Sequence, residues 1–308
     1  MGIDVGMWLQ TGAPGAVAEP GRLLIIGGDS QIGSEILRQP HLFEEGIYAT
    51  TRHANQVSGD RPFLDLGAPL GDWEPPKGTR AACVLAGVSR LAECAADPVG
   101  SAFINVTQTL DLIKRLVARG VFTLFMSTDK VFNGGRSMVS ADAPTNPVSE
   151  YGRQSACVEA ALRATMRSGA SVAILRMTKV LAPGMSLLCD WAKRLAAGQT
   201  IEAADDMVMA PVPVGAAAVA IQRLLARGEP GVFQLSGQRD ITYAEAAQHI
   251  AVRVGAATSL VRTRSAAALD LPAGAAPRHT TLDGGALATQ FGITVGDPLA
   301  VIDDVILR

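Results

Sequence analysis

The sequence predicts an α/β fold in which a doubly wound parallel sheet is followed by a smaller C-terminal α/β lobe. Three observations predict it. Short apolar runs alternate with longer segments of helical periodicity over the first 176 residues. The first apolar run leads directly into a glycine-rich loop and then a helical pattern. Beyond residue 176 the alternation loosens. Regular alternation of this kind predicts right-handed crossovers between parallel strands.

Six short runs predict strands, because each is rich in apolar or β-branched residues and is bounded by turn-forming or polar residues. They cover residues 23–26, 46–50, 63–64, 82–86, 122–126 and 172–175. The first run is Leu-Leu-Ile-Ile without a polar residue, which is typical of a strand covered on both faces. The third is very short and ends at Asp65.

Between these runs, apolar residues recur three and four positions apart, which predicts amphipathic helices. After the first strand, we expect Ile32, Ile36 and Leu37 on one buried helix face. A long helix after the fourth strand has its apolar residues at Phe103, Val106, Leu110, Ile113 and Leu116. Another helix covers about 149–166.

In the second half of the chain, the sequence predicts several helices and only one short strand. The helices lie near 184–198, 213–227, 242–254, 282–291 and 298–307, with one short strand at 232–235 and an Ala-, Pro- and Arg-rich linker at 263–280.

Composition excludes several classes of protein. The 308 residues are 48% hydrophobic and 18% charged with a net charge of −2, which excludes a disordered chain. The 27 basic and 29 acidic residues give no global positive field, so we expect neither nucleic acid nor a membrane surface as partner.

The four cysteines form no C-x-x-C and have no histidine nearby at zinc-ligand spacing, so no metal site is predicted. The first 20 residues lack the pattern of a signal peptide, so we expect a flexible extension on a cytoplasmic protein.

The glycine loop Gly-Gly-Asp-Ser-Gln-Ile-Gly, residues 27–33, stands where a dinucleotide fingerprint belongs, between the first strand and its helix. Gly27 can form the tight turn, and Gly33 allows close helix packing. The helix N-terminus then faces the pyrophosphate. Ser30 replaces the middle glycine of the common spacing and adds a Cβ near the cofactor. The predicted cofactor contacts in this loop are Gly27, Asp29, Ser30, Gln31, Ile32 and Gly33.

The end of the second strand predicts which dinucleotide binds. An NAD site usually has an acidic residue there, which binds the ribose hydroxyls. This chain has Thr-Thr-Arg-His at 50–53 instead. Arg52 can pair with a 2′-phosphate, so we predict NADP(H) rather than NAD(H).

These patterns predict three regions. Residues 1–20 form the extension, 21–176 plus about 213–235 a dinucleotide-binding Rossmann domain, and 177–212 plus about 236–308 a substrate-binding lobe.

Further blocks follow in a fixed order: Ser-Thr-Asp-Lys-Val-Phe at 127–132, Pro-Val-Ser-Glu-Tyr-Gly-Arg at 147–153 and Gly-Val-Phe-Gln-Leu-Ser-Gly at 231–237. With the glycine loop, they make the chain resemble the extended short-chain dehydrogenase/reductases from about Arg22 to the C-terminus. The resemblance is greatest to the dTDP-4-dehydrorhamnose reductases and their sugar-nucleotide relatives. It implies an NAD(P)-dependent reductase that acts on a nucleotide-linked keto sugar.

The resemblance also assigns roles to individual residues. Thr128 takes the position of the hydroxyl that orients the sugar carbonyl, and Tyr151 takes that of the proton donor. Four further residues would contact the cofactor: Asp65 and Leu66 beside the adenine, and Ala86 and Gly87 along its length.

Position 155 departs from the family pattern, which is Y-x-x-x-K on one helix. The lysine lies one turn from the tyrosine, lowers its pKa from about 10 and binds the nicotinamide ribose. Here the residue four positions after Tyr151 is Ser155, which carries no charge. Ser155 keeps the position beside the cofactor without either function of the lysine.

Lys130 stands where the reductases have tyrosine, and Ser-Thr-Asp-Lys resembles the corresponding block of inverting nucleotide-sugar 4,6-dehydratases. That resemblance implies an acid/base pair of Asp129 and Lys130. Four alternatives stay open: a reductase, a dehydratase or epimerase that uses Lys130, a catalytically silent NADP(H)-binding homologue with a regulatory or structural role, and a fold that binds no cofactor. The sequence also leaves a homodimer open. Lys179, Arg194 and Arg278 can face a substrate diphosphate.

Overall fold

The computed structural model describes residues 21–40, 42–269 and 271–307, and the extension predicted at 1–20 lies outside the described residues. The strands are β1 (Arg22–Ile26), β2 (Ile47–Ala49), β3 (Thr79–Val84), β4 (Phe122–Thr128), β5 (Val172–Met177), β6 (Val180–Leu181), β7 (Ile201–Ala204), β8 (Val208–Met209), β9 (Val212–Pro213), β10 (Gly231–Leu235), β11 (Ile241–Thr242) and β12 (Val261–Arg264). The α-helices are α1 (Gln31–Arg38), α2 (Leu91–Ala96), α3 (Pro98–Ala102), α4 (Thr109–Ala118), α5 (Glu150–Arg167), α6 (Ser186–Ala196), α7 (Val214–Arg227), α8 (Tyr243–Arg253), α9 (Gly285–Phe291) and α10 (Pro298–Ile306).

Six strands form one parallel sheet in the order β2-β1-β3-β4-β5-β10. In β1, Leu24 pairs with Tyr48 of β2 on one side and with Ala82 of β3 on the other. The strand order therefore reverses at β1, and in open parallel sheets ligands bind outside the carboxyl ends of the strands at such a point. This sheet confirms the predicted fold class, and β10 from the second half of the chain completes it.

Alternate residues of β1 point to opposite faces of the sheet. Leu23 and Ile25 pack in a core with α1 and α7, whereas Leu24 and Ile26 pack in a core with α4 and α5. All four side chains are 0% exposed. The unbroken apolar run therefore corresponds, as predicted, to a strand covered on both faces.

Three two-stranded pairs lie outside the main sheet. β6 pairs with β9 and β7 with β12, both parallel, while β8 and β11 are antiparallel. α6, α8 and α10 pack against one another, and an edge contact between the Trp191 and Tyr243 rings, 6.4 Å apart, joins α6 to α8. The division into two domains stays a prediction. No helix in the described ranges is long and apolar enough to cross a membrane.

Two local predictions are wrong. In place of a third strand, Phe63 makes only an isolated parallel bridge to Thr51. Pro62 before it has no N–H for pairing, and Asp65 after it accepts the N–H of Gly67 and turns the chain. Leu37, expected on the buried face of α1, is 41% exposed, because it lies about 100° around the helix from the buried Ile36.

The long helix predicted after β3 is interrupted. A π-helical segment, Phe103–Gln108, separates α3 from α4. Such segments occur often at functional sites, since the extra residue per turn redirects the side chains. Asn105 lies within this segment.

A buried ion pair links α5 to the centre of the sheet. The side chains of Arg176 on β5 and Glu159 on α5 are 0% and 1% exposed. Arg176 donates from Nη2 to Oε2 of Glu159 at 2.7 Å and from Nε to Oε1 at 2.9 Å. Ser127 Oγ also donates to Glu159 at 2.5 Å, and Arg176 Nη1 donates to Gln234 Oε1 at 3.1 Å. These bonds compensate both charges for the loss of water.

We predict that Arg176→Ala lowers the free energy of unfolding by about 3–5 kcal/mol, because it leaves the buried Glu159 charge without a partner. Urea unfolding followed by circular dichroism measures this loss. The double variant Arg176→Met with Glu159→Gln removes both charges, so we expect it to recover part of the stability.

The matched control is Arg90→Ala. Arg90 pairs with Glu93 at 3.0 Å on the surface, where its side chain is 82% exposed. That change is expected to cost less than about 1 kcal/mol. Equal losses for Arg176→Ala and Arg90→Ala would show that the buried pair contributes no more to stability than a surface pair.

Candidate active site at the carboxyl edge of the sheet

The glycine loop joins β1 to α1 in a conformation that requires glycine. Gly27 has a φ of +94°, and a Cβ at this position would lie 2.8 Å from the backbone nitrogen of Ala86. A Cβ on Gly33 would lie 2.6 Å from the carbonyl oxygen of Gly27. The two glycines therefore form the tight turn and the close helix packing that the sequence predicts.

Ser30 caps the N-terminus of α1. Its Oγ accepts the N–H of Gly33 at 3.0 Å, and its carbonyl accepts the N–H of Ser34 at 2.8 Å. The N–H groups of Gln31 and Ile32 stand in the first turn, where a helix offers no acceptor. This end of α1 therefore fits a phosphate group, and the Ser30 hydroxyl is turned into its own helix.

The loop is also bonded to the end of β2. The N–H of Gly27 donates to Thr50 Oγ1 at 2.9 Å, and the N–H of Gly28 donates to the Thr50 carbonyl at 3.0 Å. Asp29, the next residue, accepts the hydroxyl of Thr51 at 2.8 Å. The loop and the end of β2 thus form one rigid edge.

A cleft of about 720 Å³ opens at the carboxyl edge of the sheet. It is lined by the start of α1, the ends of β3, β4 and β5, one face of α5 and residues from the second half of the chain. The predicted site residues that it brings together are Ser30, Gln31, Ile32, Ala86, Gly87, Thr128, Lys130, Tyr151 and Ser155. The volume is in the range of small-molecule sites.

Tyr151 lies in the cleft without a lysine beside it. Ser155 Oγ donates to the Tyr151 backbone carbonyl at 2.9 Å, so the hydroxyl is bonded within the helix. Burial raises the pKa of the Tyr151 phenol to about 12, and the nearby Asp129 carboxylate also raises it, whereas Ser155 lowers it only in part. The phenol therefore stays protonated at neutral pH, contrary to the effect of a Y-x-x-x-K lysine.

Asp129 forms the charged centre of the cleft. Its carboxylate pairs with Lys130 Nζ at 3.0 Å and accepts Thr128 Oγ1 at 3.2 Å. Burial lowers the pKa of Lys179, which lines the cleft at the end of β5, and Asp129 opposes that shift. Lys130 thus pairs with Asp129, and Lys179 is a second basic side chain in the same cleft. Arg194 and Arg278, the other candidates for a diphosphate, do not line this cleft.

Asn105 connects the π-helical segment to the cleft. Its side chain accepts the N–H of Val88 at 2.7 Å and donates to the Val88 carbonyl at 2.8 Å and to Gln154 Oε1 at 2.7 Å. Gln154 lies on α5 between Tyr151 and Ser155. Asn105 therefore fixes the loop after β3 against the helix that carries the tyrosine.

Six predicted residues lie outside the cleft lining: Gly27, Asp29, Gly33, Arg52, Asp65 and Leu66. Arg52 is exposed and, among the described residues, makes no ion pair. Asp65 is exposed, and Leu66 is buried in the core. Their assignment to a cofactor stays a prediction. No cluster of metal-ligating side chains occurs between residues 21 and 307, positions 41 and 270 aside.

Two polar groups near the site escaped the sequence reasoning. Tyr243, at the start of α8, lines the cleft, and burial raises the pKa of its phenol. Arg61 pairs with Asp29 beside the glycine loop. Neither belongs to a motif, and each reaches the site through contacts distant in sequence. The sequence gives one signal for a basic residue such as Arg61 near the end of β2, which is the absence of an acidic residue at that strand end.

The comparisons with known proteins agree with this geometry. The family model described as "RmlD substrate binding domain" matches residues 21–297. The "Probable low-salt glycan biosynthesis reductase Agl14" of Haloferax volcanii is 29% identical over 221 residues, which cover 68% of this chain and 72% of that protein.

Solved structures share the fold at low sequence identity. The dTDP-4-dehydrorhamnose reductase of Bacillus anthracis, in complex with NADP, has a TM-score of 0.77 at 16% identity and covers 94% of this chain and 99% of its own. UDP-glucose 4-epimerase of Thermotoga maritima, with UDP-glucose, has a TM-score of 0.75 at 18% sequence identity. The match covers 93% of this chain and 97% of the epimerase chain. The dTDP-glucose 4,6-dehydratase DesIV of Streptomyces venezuelae, with NAD bound, has a TM-score of 0.72 at 23% sequence identity. The match covers 92% of this chain and 94% of the dehydratase chain.

These structures share the six-stranded Rossmann architecture, and the family match spans nearly all of the described residues. The chain therefore belongs to the RmlD substrate binding domain family.

Proposed function

We propose that this protein is an NADP(H)-dependent reductase of a nucleotide-linked keto sugar. The observation that carries the proposal is the presence of Thr128 and Tyr151 in one cleft with the start of α1. Family membership supports it, as do the reductase name of the Haloferax volcanii relative and the NADP complex of the Bacillus anthracis structure.

The glycine loop and the first turn of α1 fit a dinucleotide. The N–H groups of Gln31 and Ile32 would hold the pyrophosphate, and Ala86 and Gly87 would lie along the cofactor. Arg52 would pair with a 2′-phosphate at the adenosine ribose. When bound, the nicotinamide supplies the hydride for reduction.

Tyr151 would donate the proton to the oxygen of the sugar carbonyl, and the Thr128 hydroxyl would hold the same oxygen. A phenol with a pKa of about 12 is a weak acid, but it remains more acidic than a simple alcohol. The same phenol is protonated at neutral pH and so cannot act as a base. A protonated phenol is the form that reduction of a carbonyl requires.

The basic side chains of Lys130 and Lys179, which line the cleft near Asp129, would face the anionic part of the substrate. A nucleotide diphosphate is the group that such a cleft would attract. We place the protein in the cytoplasm, because its four cysteines are free.

Two observations favour other functions. The Asp129–Lys130 ion pair suits a dehydratase or epimerase that uses Lys130 as acid or base. The absence of charge at Ser155 suits a catalytically silent protein that binds NADP(H). A homodimer is compatible with each of these functions.

The proposal is tested by calorimetric titration with NADPH and NADH, followed by assays of NADPH oxidation on several nucleotide-linked 4-keto sugars. We expect NADPH to bind more tightly than NADH and at least one sugar to be reduced. If neither dinucleotide binds, the reductase and the silent alternative both fail. Tight binding without turnover on any sugar would favour the silent protein.

The first prediction from this site concerns Arg52→Ala. Loss of one guanidinium contact to the 2′-phosphate should weaken NADPH binding by about threefold to tenfold, with little change for NADH. Calorimetry measures both affinities. An unchanged NADPH affinity would remove Arg52 from the cofactor site.

The second prediction concerns Ser155→Lys. An ammonium one turn from Tyr151 lowers the pKa of the phenol below its present value of about 12. Phenolate absorbance during an alkaline titration should show one tyrosine ionising at lower pH, and Tyr151→Phe identifies it by difference. The reductase rate should rise by about tenfold. The matched control, Ser155→Met, has similar length without charge, and a rise in its rate would show that charge is not the cause.

The third prediction separates the reductase from the dehydratase. In a reductase, Lys130→Ala should mainly raise the KM for the sugar nucleotide, because Lys130 attracts substrate rather than moving a proton. In a dehydratase, kcat would fall by about 100-fold or more. Steady-state assays separate the two effects, and a large fall in kcat with unchanged KM would overturn the reductase assignment for Lys130.

A further inference from the structure

A polar cluster stands at the end of β2, beside the glycine loop, and consists of Asp29, Thr51, His53 and Arg61. Asp29 accepts Thr51 Oγ1 at 2.8 Å, pairs with the Arg61 guanidinium, and lies 3.9 Å from His53 Nε2. This is the edge at which dinucleotide-binding folds recognise the adenosine ribose. The acid that NAD sites have at the end of this strand is absent from β2, and the carboxylate comes from the loop instead.

The backbone of Arg61 is fixed against the extension of β2. Ser58 and Arg61 exchange two N–H to carbonyl bonds of 3.1 Å in a tight hairpin. The Asp60 carbonyl accepts the N–H of Ala49 at 2.9 Å, and the Pro62 carbonyl accepts that of Thr51 at 3.1 Å. Arg61 is therefore held in register with the strand end, whereas Arg52 is an exposed side chain without an ion pair in the described part of the chain.

The guanidinium of Arg61 is only partly satisfied. Nη2 serves both Asp29 and Gln56, the latter at 3.0 Å. Nε is buried and has no hydrogen-bond partner among the described residues, although the side chain is 34% exposed. Nε is therefore out of reach of a ligand, whereas Nη1 bonds no described residue and is the donor available to a phosphate.

We propose that Arg61, held in place by Asp29, is a contact for the 2′-phosphate of the cofactor in addition to Arg52 and contributes to the choice between NADP(H) and NAD(H). The inference rests on the proposed function, since it requires a dinucleotide at this edge. A guanidinium presents several N–H donors in one plane, which matches the oxygens of a phosphate monoester. Arg61 also neutralises Asp29, whose charge would otherwise repel that phosphate.

The test uses fragments that carry no nicotinamide, so that it does not depend on catalysis. Calorimetry compares the full-length protein with 2′,5′-ADP and with 5′-AMP. We expect the wild type to prefer 2′,5′-ADP by about tenfold or more, and Arg61→Ala to lose about tenfold for 2′,5′-ADP with less than about twofold change for 5′-AMP. Arg61→Lys keeps the charge without the planar guanidinium, so we expect its affinity for 2′,5′-ADP to lie between those of the wild type and Arg61→Ala.

A second variant distinguishes a phosphate contact from a structural role. In Arg61→Ala the unpaired Asp29 repels the 2′-phosphate, so Asp29→Asn added to Arg61→Ala should recover part of the lost affinity for 2′,5′-ADP. Full recovery would show that Arg61 acts only by neutralising Asp29, and no recovery would show a purely structural role; a direct contact predicts partial recovery. Arg38→Ala is the matched control, because Arg38 pairs with Glu35 near the far end of α1, and we expect it to change neither affinity.

Equal losses for both fragments, or no loss in Arg61→Ala, would overturn the inference and leave the proposed reductase standing. If the wild type does not prefer 2′,5′-ADP but binds NADH, this inference and the choice of NADP(H) both fail, while a reductase remains. If the protein binds no nucleotide at all, the proposed function fails with them.

Discussion

The buried ion pair between Glu159 and Arg176 is the interaction on which the candidate site depends. It lies behind the end of β4, where Ser127 donates to Glu159 one residue before Thr128. Glu159 belongs to α5, the helix that carries Tyr151, and Arg176 belongs to β5, three residues before Lys179. One desolvated pair therefore fixes the three elements from which the polar groups of the cleft project.

The same network extends into the second half of the chain. Gln234 on β10 accepts from Arg176 and donates to the carbonyls of Val139 and Asp283, at 2.8 and 3.0 Å. A buried charge that is bonded on all sides has few alternative arrangements. The cleft contains Tyr151, the proton donor of the proposed reduction, but no ammonium one turn along its helix.

The sequence was informative wherever backbone geometry or an unbroken apolar run determines the structure. Gly27 and Gly33 need glycine for reasons of space, and β1 needs cover on both faces, so the loop and the sheet could be predicted. Thr128 and Tyr151 were expected only from the resemblance to the reductase family. The predicted third strand does not form, because Pro62 limits its pairing with the end of β2 to one residue. Arg61 and Tyr243 were missed because tertiary contacts alone bring them to the site. The raised pKa of Tyr151 depends on burial and on Asp129, which spacing along the chain does not reveal.

In the proposed reaction, Tyr151 donates the proton although no lysine one turn along α5 assists it. The most direct measurement is single-turnover oxidation of bound NADPH by a nucleotide-linked 4-keto sugar, in the wild type and in Tyr151→Phe. We expect a rate about 100-fold lower or more in the variant, with unchanged NADPH affinity. Equal rates in the two proteins would contradict it.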